Sequence, residues 1–451
     1  MTLSKEDSKD GGTKPKKTLQ DIAWYERDAF KSLFLQAASN AMRGYHCAMV
    51  SPKTTFAGTN SLTDMTNHLG AFLTPGEKRV LIVVDKDLPK FAEIVGEKLK
   101  SQKQIDYKIF SNVLPDVPKH TVMEGVKICQ EYNPRVIIGI GGGSAMDTAK
   151  MIMLFYEKPD INLNNVMAPA YMGLRKKIFA LVAIPTTSGT GAETTFIAVV
   201  TDEERNKKVE AVLYELCPDF AVLYPEFVKT MPPALTMGTG MDALCHSMGS
   251  YVLTMSTDYT DIHNLKAIEM ILKYLPRAVK RGNDMEAREQ MQMAAYIAGI
   301  GFGNISGGLE HGIGHSLGAT FHVHHGVCVA IFLCASLAYQ AKVTDRVLDI
   351  TSLFGVNVNG MEKEAILREL IIRTQAFMKE INCPLSIKDI KEPHPISLDE
   401  LNEKLEILTD LAFNDFTTLS SSRKLDPPQI KKIIKIAYEN KVDDLMELYR
   451  M

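Results

Sequence analysis

The chain has 451 residues, 45% of them hydrophobic, and a formal net charge of −3. This length exceeds one ordinary core and predicts two domains, and the weak net charge gives no support to a nucleic-acid or anionic-membrane partner. Seven scattered cysteines fit free thiols in a reducing compartment, and no secretory signal or 18-residue apolar stretch is present, so we expect a cytoplasmic enzyme.

The first 50 residues form two segments without a catalytic motif. Residues 1–20 are polar and rich in lysine, which predicts a disordered tail. Residues 21–50 carry apolar side chains at helical spacing and predict a helical arm that packs on its own subunit or on a neighbouring copy.

Residues 51–233 predict an α/β domain. Apolar runs at 80–84 (VLIVV), 135–140 (RVIIGI) and 180–185 (ALVAIP) alternate with helical stretches, as is typical of strands buried on both faces of a parallel sheet. After Pro232 and Pro233 the strand pattern gives way to amphipathic helices. Residues 234–451 therefore predict an all-helical domain, with a cleft between the two domains.

A glycine-rich loop, GIGGGSAMD, follows the second apolar run and begins a helical stretch. Ser144 and Asp147 have the spacing of a capping box, so we expect the helix to begin at Ser144 with free N–H groups near the glycines. A helix N-terminus beside bare glycines binds phosphate well, although a tight turn without a ligand is the alternative. A serine stands where the last glycine of the Rossmann pattern would be.

Two further features could contact a nucleotide. The loop PTTSGTGAE at 185–193 leaves the third apolar run and is rich in hydroxyl groups that can hold phosphate or a carboxamide. Asp85 ends the first run, where a carboxylate can accept hydrogen bonds from a ribose diol and would repel a 2′-phosphate. A plain turn or N-cap aspartate is the alternative at Asp85.

Aspartate and histidine side chains between residues 242 and 325 predict one metal site. Asp242 and His246 are four residues apart and share one helix face. His311 and His325 would be about 21 Å apart on an unbroken helix, so we expect a break between them, with Gly318 as the candidate. The spacing leaves two ligand sets open: Asp242, His246 and His311 with either His315 or a histidine of the loop at 322–325.

The segments GGGSAMDTAK, PTTSGTGAE, GMDALCHS and GLEHGIGHSLGA, followed by HHG, closely resemble the iron-containing, group III alcohol dehydrogenase family. The resemblance runs from about residue 50 to the C-terminus. It implies a dehydroquinate synthase-like fold with an α/β dinucleotide-binding domain and an all-α metal-binding domain. It also implies hydride transfer between a small primary alcohol or diol and NAD at a divalent ion, Fe²⁺ or Zn²⁺, in a homodimer or larger homo-oligomer.

Carried over by position, the resemblance implies a role for each candidate residue. The implied metal ligands are Asp242, His246, His311 and His325, with His315 as an unligated proton-transfer group. The implied cofactor-binding residues are Asp85, Gly142, Gly143, Ser144, Asp147, Thr186, Thr187, Thr190 and Lys208. Phe302 is implied as a pocket wall.

Two departures from the family pattern bear on the site. Pro115-Asp-Val-Pro118 replaces the usual Pro-Asn-Pro, so the resemblance does not carry over the cofactor contact expected at this position. Glu310 places a carboxylate beside His311, and we assign it to the substrate pocket, with packing or an acceptor role toward an imidazole as alternatives. A glycerol dehydrogenase-like or dehydroquinate synthase-like enzyme, or a filament component with a vestigial site, is the alternative for the whole chain.

Overall fold

The computed structural model describes residues 49–163, 166, 171–204, 207–253 and 255–451. The predicted tail and nearly all of the predicted helical arm lie outside the described residues. The six described cysteines are buried and free, as expected. Among the described helices, none combines the length and apolar character needed to cross a membrane.

A six-stranded parallel sheet forms the centre of the N-terminal part, with the strand order β1-β8-β5-β4-β2-β3. The three predicted apolar runs are β2, β4 and β5, and they are neighbours in the middle of the sheet. A separate antiparallel hairpin joins β6 to β7. The strands are β1 (Thr54–Ala57), β2 (Arg79–Asp85), β3 (Asp106–Val113), β4 (Val136–Gly141), β5 (Ala180–Pro185), β6 (Ile197–Asp202), β7 (Lys207–Val212) and β8 (Phe220–Leu223).

Alternating side chains of the sheet enter two hydrophobic layers. Leu81 and Val83 of β2 face one layer, and Val80 and Ile82 face the other, with none of the four exposed. Four helices cover the two faces: α1 (Ser61–Phe72), α2 (Pro89–Lys103), α3 (Lys119–Tyr132) and α4 (Gly143–Glu157). Because both faces of the sheet are buried, the sequences of the central strands are continuous apolar runs and do not alternate between apolar and polar residues.

The elements after the last strand are helical. The α-helices are α5 (Pro233–Tyr251), α6 (Asp258–Lys280), α7 (Met285–Gly303), α8 (Leu309–Phe321), α9 (His325–Gln340), α10 (Val347–Leu353), α11 (Lys363–Glu380), α12 (Leu398–Asn414), α13 (Phe416–Leu419), α14 (Pro427–Ala437) and α15 (Val442–Arg450). Helix α5 is buried along most of its length because α6, α7 and α9 all pack against it.

Two buried side chains of α7 connect the helical part to the sheet part. The Arg288 guanidinium donates to the Met231 carbonyl at 2.8 Å, and the Gln292 amide donates to the Pro185 carbonyl at 3.2 Å. Pro185 is the last residue of β5. The helical part therefore contacts the sheet at the carboxyl ends of its strands, where α/β folds place their ligands.

Candidate functional site

One carboxylate oxygen is the centre of the candidate metal site. Asp242 Oδ1 lies 3.2 Å from His325 Nε2 and 3.4 Å from His311 Nε2. One ligand atom from each of these three residues falls within 4.8 Å of the others. His246 Nε2 is 3.8 Å from the same Asp242 oxygen but lies outside this tighter group. The four predicted ligands thus come together from α5, α8 and α9.

A helix break brings His325 back toward His311, as expected, but its position differs from the prediction. Helix α8 continues through Gly318 to Phe321. His322 then adopts a left-handed conformation, with φ of 57°, and its N–H donates to the Gly318 carbonyl. Helix α9 begins at His325. Gly318 is not the breaking residue because its backbone stays helical, and the turn falls on a histidine in the left-handed region instead.

Buried polar atoms without partners mark the place where a cation fits. Asp242 Oδ1 and His311 Nε2 are buried, and neither has a hydrogen-bond partner among the described residues. Leaving a buried donor or acceptor unsatisfied costs about 1 to 3 kcal/mol. A divalent cation would satisfy both atoms, and the mixed oxygen and nitrogen ligands suit iron(II) or zinc.

The electrostatics of the cluster favour an ionised carboxylate. Burial opposes ionisation of Asp242, but His246 and His325 outweigh it and hold the pKa of Asp242 well below its usual value. Burial lowers the pKa of His246 to about 3. Burial lowers the pKa of His311, but the nearby Asp242 and Glu310 carboxylates outweigh burial and raise this pKa to about 9. The site therefore offers the Asp242 carboxylate beside imidazole nitrogens, which is a donor set for a cation.

Phe302 and His246 stack in parallel at the side of the cluster. Their ring centroids are 3.7 Å apart, with an interplanar angle of 5°. The second face of the His246 ring lies over His311, with centroids 4.4 Å apart. Phe302 is thus packed against a predicted ligand, and its place in a substrate pocket stays a prediction.

His315 lies beside the ligand cluster and carries its own carboxylate partner. Its Nδ1 is 2.9 Å from Asp415 Oδ2, and its ring stacks over His325 with centroids 5.2 Å apart. The other oxygen of Asp415 accepts from the Thr417 N–H and hydroxyl, at 2.8 and 2.6 Å. Burial opposes ionisation of Asp415, but the nearby His315 and the hydrogen bonds from Thr417 outweigh burial, so the pKa of Asp415 is lowered.

Sequence reasoning missed Asp415 and a second carboxylate, Glu210. Asp415 is 100 residues after His315, so no local spacing connects the two. Glu210 lies on β7, and burial together with the charge of Asp415 raises the pKa of Glu210 to about 7, while His315 acts in the opposite direction. The only local signal was the N-cap pattern at Asp415.

The structure does not support the pocket role predicted for Glu310. Its side chain has no exposed surface. One carboxylate oxygen accepts from His311 Nδ1 at 3.0 Å, and the other accepts from the Ser336 hydroxyl at 2.8 Å. Because both oxygens are engaged and buried, Glu310 faces away from any substrate, and the alternative of an imidazole acceptor is the one that fits.

The two predicted cofactor loops meet at the carboxyl ends of β4 and β5. The Thr186 N–H donates to the Gly141 carbonyl at 2.9 Å. A Cβ added to Gly142 would lie 3.6 Å from Thr187, and one added to Gly143 would lie 3.3 Å from Thr190. No side chain caps the N-terminus of α4, which leaves the N–H groups at Gly143 and Ser144 available to a phosphate.

The capping box predicted for Ser144 and Asp147 does not form. Helix α4 begins at Gly143, and Gly142 is its N-cap residue. The Asp147 carboxylate instead accepts from the Val199 N–H at 3.0 Å and lies 3.7 Å from the Lys150 ammonium. Strand β6 and the buried lysine draw Asp147 to the flank of α4, so it is not at the phosphate end.

The remaining predicted cofactor residues are Asp85 and Lys208. Asp85 ends β2, and its carboxylate accepts from the Asp87 N–H at 3.2 Å. The Asp85 Cβ lies 3.5 Å from the position that a Cβ on Gly141 would take, so Asp85 is next to the glycine loop. Lys208 on β7 pairs with Asp116, the residue at the departure from the family's Pro-Asn-Pro.

Two family models match the chain over most of its described length. The model of iron-containing alcohol dehydrogenase matches residues 52–225, and the C-terminal model of the same family matches residues 236–438. An NADPH-dependent butanol dehydrogenase of Clostridium saccharobutylicum is 32% identical over 86% of this chain and 97% of its own length. An NAD-dependent methanol dehydrogenase of Bacillus methanolicus is 35% identical over 80% of this chain and 93% of its own length.

Solved structures share the fold. An alcohol dehydrogenase from Oenococcus oeni superimposes with a TM-score of 0.80 at 27% identity, over 87% of this chain and 100% of the other. A 1,3-propanediol oxidoreductase gives a TM-score of 0.79 at 27% identity, again over 87% and 100%. The parallel sheet followed by a helical domain is thus the architecture that this chain shares with them.

Proposed function

Because the chain belongs to the iron-containing alcohol dehydrogenase family, we propose that it transfers hydride between a small primary alcohol or diol and NAD at a divalent metal ion. The cluster of Asp242, His311 and His325 carries this proposal, since its ligand atoms lie within 4.8 Å and two of them are buried without partners. The glycine and threonine loops, which meet at the carboxyl ends of β4 and β5, would hold the dinucleotide.

We propose Asp242, His246, His311 and His325 as the metal ligands, and Fe²⁺ as the ion, with Zn²⁺ as the alternative. The family description supports iron, and the donor atoms suit either metal. A bound divalent cation would stabilise negative charge on the substrate oxygen, and the nicotinamide ring would accept or donate the hydride. His315 lies against the proposed ligand His325, so it would be close to a substrate oxygen bound at that ion.

His315 is the proposed proton-transfer group. Its Nδ1 donates to Asp415, which leaves Nε2 free to exchange a proton with the substrate hydroxyl. An imidazole nitrogen can both accept and donate a proton, so the same ring can accept the proton during alcohol oxidation and return it during aldehyde reduction. Side-chain exposure of 37% keeps His315 in reach of the cleft.

We propose NAD rather than NADP as the cofactor, held by Gly142, Gly143 and Ser144 at the pyrophosphate. The two relatives differ, since one is NADPH-dependent and the other NAD-dependent, so similarity alone does not decide. Asp85 supports NAD because its carboxylate would accept from a ribose diol and repel a 2′-phosphate. Thr186, Thr187 and Thr190 line the nicotinamide side in this proposal, with Lys208 as a further contact.

We also propose that the enzyme is cytoplasmic and forms a homo-oligomer. Buried free thiols support a reducing compartment. Phe72 and Phe179 are 54% and 40% exposed and stack on each other with centroids 6.1 Å apart, which supports contact with a second copy. A dehydroquinate synthase-like reaction or a vestigial structural role is not favoured, because the similar proteins are alcohol dehydrogenases and the ligand set is intact.

An assay of the purified enzyme with NAD and a panel of short primary alcohols and diols tests this proposal. We expect accumulation of NADH in proportion to the aldehyde formed, loss of this activity on chelation, and recovery with Fe²⁺ or Zn²⁺. A metal-loaded enzyme that produces no NADH from any alcohol in the panel, and consumes none with the matching aldehydes, would refute the proposal.

A further inference from the structure

Glu310 is a fully buried carboxylate attached to the metal cluster through one histidine. It is the second residue of α8 and has no exposed surface. Among the described residues, its ion-pair partner is His311. Its second oxygen accepts from Ser336 of α9, whose hydroxyl also accepts from the Gln340 amide at 3.1 Å. The carboxylate therefore joins α8 to α9, the two helices that carry His311 and His325.

The surrounding backbone makes room for this carboxylate through glycines. A Cβ on Gly249 of α5 would lie 2.0 Å from Glu310 Oε1, and a Cβ on Gly308 would lie 2.3 Å from Glu310 Oε2. Real Cβ atoms essentially never come this close to another heavy atom, so no other amino acid fits at either position without displacing Glu310. The fold thus provides a cavity shaped for the carboxylate at the back of the metal cluster.

The hydrogen bond to His311 determines which of its ring nitrogens can bind a cation. A carboxylate only accepts, so Nδ1 must carry the proton that it donates to Glu310. Nε2 then faces Asp242 with its lone pair or a second proton, at 3.4 Å from Oδ1. A carboxylate behind a ligand histidine fixes the ring orientation and makes the histidine a stronger donor.

The charge of Glu310 needs compensation. A buried carboxylate is costly unless it is paired, and the neutral Ser336 hydroxyl supplies no charge. Asp242 and Glu310 place one carboxylate on each side of the His311 ring, at Nε2 and at Nδ1. A divalent cation held by Asp242 and His311 would neutralise both charges, one directly and one through the imidazole.

From this geometry we infer that Glu310 is a positioning residue of the metal site, which holds His311 with Nε2 toward the cation and whose negative charge tightens cation binding. This inference rests on the proposed function, because it presupposes the metal site. It goes beyond that proposal by assigning part of the metal affinity to a residue that contacts neither metal nor substrate.

Glu310→Gln separates charge from shape. Glutamine can still accept from His311 through its amide oxygen, but it removes the negative charge. We expect apo Glu310→Gln to bind Zn²⁺ about 10- to 100-fold more weakly than the wild-type apo enzyme, measured by competition with a chromophoric chelator. The visible absorption bands of the Co²⁺-loaded variant should also shift, because the His311 donor is weaker.

The matched control is Glu193→Gln, with all variants measured at pH 8, where Glu193 is ionised; it removes the charge of another buried carboxylate, 2% exposed, whose charged partner is Lys150 and not a metal ligand. Its Zn²⁺ affinity should equal that of the wild type. If Glu310→Gln does not fold, Ser336→Ala takes its place, and loss of that hydroxyl should weaken Zn²⁺ binding by a smaller factor. If Glu310→Gln folds and its Zn²⁺ affinity equals that of the wild type, the inference is overturned. If Glu310→Gln does not fold, an unchanged Zn²⁺ affinity in Ser336→Ala overturns it. Wild-type enzyme that binds no Zn²⁺ would instead overturn the proposed function.

Discussion

Gly326→Ala should separate His325 from the other ligands without touching a ligand. Gly326 is the second residue of α9 and lies against Gly238 of α5, one turn before Asp242. A Cβ on Gly326 would lie 1.9 Å from the Gly238 carbonyl oxygen, whereas ordinary contacts begin at 3.4 Å. The two helices would have to separate by roughly 1.5 Å, and backbone cannot move aside as a flexible side chain can.

The displacement is large compared with the tolerance of a metal site, whose bond lengths vary by only about 0.2 Å. We expect Gly326→Ala to lose most of its metal, to lower kcat/KM by about 100-fold, and to cost about 1 to 3 kcal/mol of stability from overpacking. Metal analysis of the purified variant and steady-state kinetics are the assays.

Gly318→Ala is the matched control on α8. Its Cβ would have its nearest neighbours, Cys328 and Val323, at 3.5 Å, which is an ordinary contact. Alanine also favours a helix over glycine by about 1 kcal/mol, so this variant should keep its metal and lose no stability. Full metal content and normal kcat/KM in Gly326→Ala would refute the reasoning that this glycine contact sets the position of His325.

Three further results are expected. Burial raises the pKa of Glu193 to about 7, so the folded state holds an extra proton between about pH 4.5 and 7, and the free energy of unfolding falls as pH rises through that range. The free energy of unfolding of Glu193→Gln should therefore increase, relative to that of the wild type, by up to about 3 kcal/mol between pH 5 and 8. A difference between the two proteins that does not change with pH would contradict this expectation. Asp415→Asn should lower kcat about 10- to 100-fold with unchanged metal content, because the two Thr417 donors keep the amide oxygen and turn the amide NH2 toward His315 Nδ1, which removes the acceptor that fixes the His315 tautomer; a change confined to KM would argue against it. The wild-type enzyme should have a higher kcat/KM with NAD than with NADP, and Asp85→Gly should reduce the ratio of the two kcat/KM values by about tenfold or more. Equal kcat/KM values for NAD and NADP in the wild type would rule out this role for Asp85.

Local patterns in the sequence predicted the parts of the site that lie on one element each. Asp242 and His246 share a helix face because they are four residues apart, and the glycine and threonine loops follow strands that are apolar enough to be recognised. These patterns depend on neighbours in the chain, so the sequence alone was sufficient.

Features that depend on distant contacts were missed or placed wrongly. Asp147 has the spacing of a capping residue, but Val199 and Lys150 draw it to the side of the helix. The break after α8 falls at His322 rather than at Gly318, because a left-handed histidine ends the helix. The space for the Glu310 carboxylate depends on the absence of side chains at Gly249 and Gly308, which are more than 50 residues apart in the chain. No local sequence pattern predicts such a cavity.

Metal content of single alanine variants tests the central claim most directly. His325 Nε2 lies 3.2 Å from Asp242 Oδ1, whereas the His324 ring lies against Gly238, and His315 bonds to Asp415. We predict that His325→Ala loses its metal, that His324→Ala retains it, and that His315→Ala retains it while losing rate. Metal retained in His325→Ala and lost in His324→Ala or His315→Ala would contradict the proposed ligand set.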